Sequence, residues 1–372
     1  MSMIVREIIK YLEDWAPPGA AWEKDNVGLQ LGSRGQRIQN ILLCLELDDE
    51  VLKEALRKKC NFIFTHHPFI FSPIKKIDIE KDSKAQLVQT ILKNDITVYS
   101  AHTNLDFTKD GVSFVLAQTL KLNNIKFLEP EENNQYKVAV FVPEKDLEKV
   151  STAVFNAGGG IIGEYENCSF LLKGEGTFKG SEKSNPAVGQ KQKFEKVEEV
   201  RFEFIVDSWN LRNVINAIHD SHPYEEPAYD IYPLKNKNVN YGAGAIGELA
   251  KEMSADDFLK HTAANLKADV LKYSIGKSKR IKKVAVCGGS GSDLLNKAIS
   301  AGADVFVTAD VKYHTFQEAT GKIFLIDAGH YETEIHSLDT VENKLKSFIP
   351  KTEQIKILKY SGSTNPIKFY KH

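Results

Sequence analysis

A chain of 372 residues, 42% hydrophobic and 27% charged, has the composition of folded globular domains and room for two or three of them. Its 49 basic and 50 acidic residues leave a net charge of −1, so no chain-wide basic surplus is available to hold nucleic acid or an anionic membrane. The apolar runs, such as residues 62–64 and 284–287, are strand-length and exclude a helical membrane span, and four scattered cysteines without a CxxC spacing predict a reducing cytosol.

The N-terminal MSMIVREIIKYLEDW mixes acidic with apolar side chains and predicts an amphipathic helix, not a signal peptide. Asp25 and Asn26, in DNVGLQLG, read as a turn, with a site-edge role as the alternative. Next, ILLCLELD predicts a strand, and Leu52–Thr65 (LKEALRKKCNFIFT) a helix followed by a second strand ending in Thr65. His66 and His67 stand at that strand's carboxyl end, where ligands collect in parallel α/β sheets. In an extended segment they point to opposite sides, so two neighbouring ions suit them better than one; a plain strand-end pair closed by Pro68 is the other reading. A third strand, DITVYS, runs into AHTNLD, which sets His102 and Asp106 at i, i+4. That pair reads equally as a ligand pair or as a helix cap with a core histidine.

Two polar stretches, EPEENNQ (129–135) and LKNKNVN (234–240), bracket a segment with a repeat of its own. Phe141–Ala153 resembles Ile205–Ala217, each a strand followed by a helix, with further strands near 161–172 and 228–234. The order β-α-β-β-α-β is ferredoxin-like. Gly176–Gln190 reads as a long exposed loop, and HPYEEP (222–227) as a helix-ending turn. The expected organisation is therefore an α/β core of residues 1–132 and 238–372, interrupted by a module over 133–237.

The second part of the core repeats the first. Leu295–Thr308 aligns with Leu52–Thr65, and the same offset sets Cys287 over Cys44, which predicts a pseudo-symmetric, duplicated α/β core. CGGSGSD (287–293) reads as a βα turn. The strand IFLID leads to AGHYETE, where Gly329 turns the chain and His330 and Glu334 share one helical face. Three His/carboxylate clusters, each after a predicted strand and none with a thiolate, point to zinc, manganese or iron.

THHP, AHTNLD, GHYETE, DNVGLQLG and CGGSG together resemble the Nif-three-like family of GTP cyclohydrolase 1 type 2 homologues. The resemblance implies a dinuclear centre of two divalent ions, zinc foremost, held by His66, His67, Asp106, His330 and Glu334, with Glu334 bridging. It further implies His102 as an outer neighbour or proton shuttle, with His102 or Glu334 moving protons in the hydrolytic opening of a purine nucleotide ring. A PII/CutA-like insert and a ring-shaped homohexamer complete what the family leads one to expect; the absence of a membrane-length apolar run predicts no membrane partner, and the net charge gives nucleic-acid binding no support. The rival reading is a non-catalytic, metal-dependent regulatory or assembly protein, or a metal chaperone, whose insert senses a ligand.

Overall fold

In the computed structural model, which describes residues 3–370, the helix Val5–Trp15 opens the chain and buries Val5, Ile8, Ile9 and Leu12 on one face. Strands β1 (Gly28–Leu31), β2 (Asn40–Cys44), β3 (Phe62–Thr65) and β4 (Thr97–Ser100) follow. Strands β2, β3 and β4 run parallel in register, and β1 closes the β4 edge antiparallel. All four residues of β3 are buried, as expected of a parallel strand covered on both faces. Ile41, Leu43, Phe62 and Phe64 enter one apolar cluster, and Leu42, Cys44 and Ile63 another. The crossover helix Asp49–Arg57 starts at Asp48, whose carboxylate accepts the Val51 amide at 2.8 Å.

After β5 (Leu122–Glu132) comes a unit with its own core, residues 130–240; residues up to 129 and from 241 form the other unit. Within 130–240, β6 (Gln135–Pro143), β7 (Phe170–Lys179), β8 (Phe194–Asp207) and β9 (Tyr229–Pro233) make an antiparallel sheet ordered β7-β8-β6-β9. Helices Leu147–Asn156 and Leu211–Ser221 supply Val150, Val154, Val214 and Ile218 to its core, against Val138, Val140, Phe202 and Phe204. This is the ferredoxin-like strand order. The strand expected near 161–172 begins only at Phe170, because Gly158, Gly160 and Gly163 carry the preceding chain through left-handed turns. Residues 176–179, expected in a loop, extend β7 against β8.

The second half of the core contains β10 (Lys237–Ser254), β11 (Lys272–Ser274), β12 (Arg280–Ser290), β13 (Val305–Ala309) and β14 (Phe324–Asp327), and β15 (Lys356–Lys359) returns to pair with β2. Strands β12, β13 and β14 are parallel and in register, with β11 antiparallel at the β14 edge. That arrangement repeats β2-β3-β4 with β1. Val284, Val286, Val305 and Val307 face one cluster while Ala285, Phe306 and Leu325 face another. Among the described residues no helix is long and apolar enough to cross a membrane.

Because 130–240 buries its own apolar cluster and interrupts the core between the polar stretches around 132 and 237, excising residues 133–237 and rejoining the ends with a short turn is expected to leave the core folded. Cooperative thermal unfolding of the shortened chain is the expected result, and recovery only as aggregate would contradict it.

Candidate metal centre

Each candidate ligand stands just beyond the carboxyl end of a parallel strand. His66 and His67 follow β3, where the chain bends away from the extended form while their amides still bond to Cys44 O (3.2 Å) and Leu45 O (2.9 Å). That bend brings the two rings together, with centroids 4.9 Å apart, in place of the opposed directions an extended pair would take. His102 precedes the short helix Thr103–Asp106 after β4. His330 and Glu334 occupy the first and last positions of helix His330–Glu334 after β14, entered through Gly329 at φ +92°.

These side chains converge. His67 Nε2 lies 3.1 Å from Glu334 Oε2, His330 Nε2 lies 3.0 Å from Glu334 Oε1, and His66 Nε2 lies 3.7 Å from that same oxygen. Asp106 Oδ1 approaches His66 Nε2 at 3.6 Å. Donor atoms of His66, His67 and His102 fall within 4.8 Å of one another, as do those of His67, His330 and Glu334. All five residues expected as ligands, and His102 with them, therefore surround one space.

The other ring nitrogen of every histidine is tied outward. His66 Nδ1 meets Ala101 O at 2.8 Å, His67 Nδ1 meets Glu46 at 2.8 Å, His102 Nδ1 meets Asp25 at 2.9 Å, and His330 Nδ1 meets Asp310 at 2.7 Å. A partner of this kind fixes the Nδ1–H tautomer and turns the Nε2 lone pair inward, the arrangement seen around metal-ligating histidines. Asp25 is thereby a site-edge residue and not merely a turn former. Glu46 and Asp310 were not singled out from sequence. Their one signal there is position, since each lies just past a parallel strand (β2 and β13).

Fully buried His66 keeps Nε2 without a hydrogen-bond partner, and so do Asp106 Oδ1 and Glu334 Oε2. Orphaned buried atoms of this kind call for an ion or water. The donor set, imidazole nitrogens with carboxylate oxygens and no thiolate at the centre of the group, fits a divalent transition metal.

Charge is strongly displaced here. Burial opposes ionisation of Glu334, yet His66, His330 and His67 hold its carboxyl well below the usual range. Burial likewise opposes charge on His67, but the neighbouring carboxylates of Glu334 and Glu46 outweigh it and push its pKa up to about 10. Against the same opposition, Glu334 and Asp310 push His330 up to about 9. Burial raises Asp106, which His66 only partly offsets.

CGGSG does not behave as a βα turn. It continues β12 through a shift of register between Val286 and Ser290, and Gly289 takes φ +59°. A Cβ on Gly289 would sit 2.3 Å from Glu334 Oε1 and 3.3 Å from the His330 ring. Only glycine leaves room for the carboxylate there.

Residues 3–366 match the family described as Duf34/NIF3 (NGG1p interacting factor 3). The chain is 36% identical over 364 residues to a GTP cyclohydrolase 1 type 2 homolog of Halalkalibacterium halodurans, covering 97% of this chain and 98% of that one. It is 36% identical over 367 residues to one from Bacillus subtilis, covering 98% of each. The crystal structure of a Bacillus cereus protein related to NIF3 superposes with a TM-score of 0.82 at 35% identity, covering 100% of both chains.

Gly289→Ala should displace Glu334 and cost about 1–3 kcal/mol through its left-handed backbone. The expected outcome is weakened divalent-ion binding together with a lowered melting temperature. Unchanged ion affinity would show that the close approach of residue 289 to Glu334 is immaterial.

Proposed function

The chain belongs to the Duf34/NIF3 family, and from that premise we propose that it is a dinuclear divalent-metal-dependent hydrolase acting on a small molecule such as a purine nucleotide. The observation that carries this reading is the inward convergence of histidine Nε2 atoms on buried Glu334, with every Nδ1 engaged on the far side. His66, His67, Asp106, His330 and Glu334 would hold the ions, zinc before iron or manganese, through imidazole nitrogens and carboxylate oxygens. Two cations held there would supply Lewis-acid polarisation of the substrate's electrophilic atom and of water.

The chain's own groups do the rest. The tethers of His66, His67 and His330 orient the donors in advance, and Glu334 supplies negative charge that need not be recruited on binding. A cavity of about 370 Å³, lined by Glu46, His67, Phe69, Ser83, Lys84 and Leu87, opens beside His67 and is of a size for a small substrate. The strand order of residues 130–240 supports a PII/CutA-like module. Four free cysteines support a cytosolic location, and family membership supports a homohexameric ring.

Metal-replete purification should yield about two divalent ions per chain by elemental analysis, matching the two donor groups, one of His66, His67 and His102 and one of His67, His330 and Glu334. Glu334→Gln should lose at least one ion while keeping its fold. Turnover on a nucleotide panel, with His66→Ala as the blank, tests the catalytic half of the proposal. A fully loaded protein that turns over nothing would favour the regulatory reading, and a wild type without metal would end both.

The pH dependence has a definite sign. With His67 near 10 and His330 near 9 in the ion-free protein, both rings are protonated at pH 7 and must lose those protons to become ligands. Ion affinity should therefore rise from pH 6 to pH 9, with at least two protons released per chain at neutrality, since His66 is raised as well. Calorimetry in buffers of different ionisation enthalpy measures that release, and a proton count near zero would contradict it.

A further inference from the structure

On the metal-centre reading above, we infer that Asp25, Asn26 and Gln30 form a positioning bracket that aligns both ligand-bearing segments of the core's first half. The Asp25 side chain is only 3% exposed. Its carboxylate meets His102 Nδ1 at 2.9 Å and accepts the Thr103 amide at 3.1 Å and the Thr103 hydroxyl at 2.5 Å. It thus seats the start of the helix Thr103–Asp106, whose last residue aims Asp106 at His66.

The same segment grips the other ligand loop. Asn26 Nδ2 donates to Ile70 O at 2.5 Å, and the Ile70 amide donates to Gln30 Oε1 at 3.1 Å, so both backbone groups of Ile70 are satisfied from this one short segment. Gln30 Nε2 donates to Asn26 O at 2.8 Å and closes the bracket on itself. Ile70 lies three residues beyond His67, at the head of the irregular stretch that leads to helix Ser83–Lys93. That stretch has no strand ladder to set its path, so the two bonds to Ile70 anchor the chain three residues past His67, beyond the last backbone bonds of His66 and His67 to Cys44 and Leu45. One run of six residues, DNVGLQ, therefore sets the spacing between the His66–His67 pair and the His102–Asp106 turn.

Partners behind metal ligands alter ion affinity roughly 10- to 100-fold when removed. The test uses the full chain with Zn²⁺ in competition with a chelator, beside thermal unfolding of the metal-free protein. Asp25 and Asn26 act through His102, Thr103 and Ile70 and not on the five ligands themselves, so Asp25→Asn and Asn26→Ala are expected to weaken Zn²⁺ binding at the low end of that range, roughly 10-fold, while the metal-free melting temperature shifts by only a few degrees. Gln30→Glu, which keeps the acceptor for Ile70 N–H, should stay closer to wild type than Gln30→Ala. A merely structural role would give the reverse pattern, a lowered melting temperature with Zn²⁺ affinity unchanged, and would overturn the inference. Should Asp25→Asn fail to fold, the exposed Asn26→Ala and the Gln30 pair decide it alone. Failure of the wild type to bind Zn²⁺ refutes the metal-centre reading itself, whereas wild-type binding with unaltered affinity in all variants refutes only the bracket.

Discussion

Glu334 is 3% exposed and ionised, a combination that is strongly unfavourable unless compensating charge and hydrogen bonds surround it. Much of the core's local detail answers that requirement. Three imidazoles stand within 4 Å of its oxygens, and each is held from behind by Ala101 O, Glu46 or Asp310. Gly289 withdraws a side chain from the space its carboxylate fills. Imidazoles and a buried carboxylate facing one space form a donor set suited to a divalent transition metal.

Such a concentration of donors depends on the duplicated architecture. Parallel strands β2-β3-β4 and β12-β13-β14 each deliver loops at their carboxyl ends, the side of a parallel sheet where ligands gather. The first half contributes His66, His67, His102 and Asp106, and the second contributes His330 and Glu334. Neither half alone holds a complete set. Thr65 and Thr308, matched in the internal repeat, end β3 and lie in β13 at corresponding places. The loop ends of the first half are rich in imidazole, and those of the second supply His330 and the buried carboxylate of Glu334.

The unit of residues 130–240 stands apart from this chemistry, since no candidate ligand lies in it. Val138, Val140 and Val142 on β6, with Phe202, Phe204 and Val206 on β8, form an apolar face covered by two helices of the same unit. The unit's two boundaries with the core fall within β5 and β10.

Periodicity and repetition in the amino-acid sequence were sufficient for the main outline: the buried parallel strands, the internal duplication, the β-α-β-β-α-β order between two polar stretches, and the strand-end positions of His66, His67, His102, Asp106, His330 and Glu334. Those features are local, or recur at a fixed offset, so they can be read along the chain. Tertiary structure decided what depends on approach between distant residues. The bend after Thr65 set His66 and His67 side by side, where alternation along an extended chain would oppose them. Asp25 lies 77 residues from His102 and Asp310 lies 20 from His330, so no spacing rule links them, and both are hydrogen-bonded only because the fold folds one loop onto another. Gly289 looked like a turn residue because sequence carries no record of the Glu334 oxygen that must pass 2.3 Å from where its Cβ would stand.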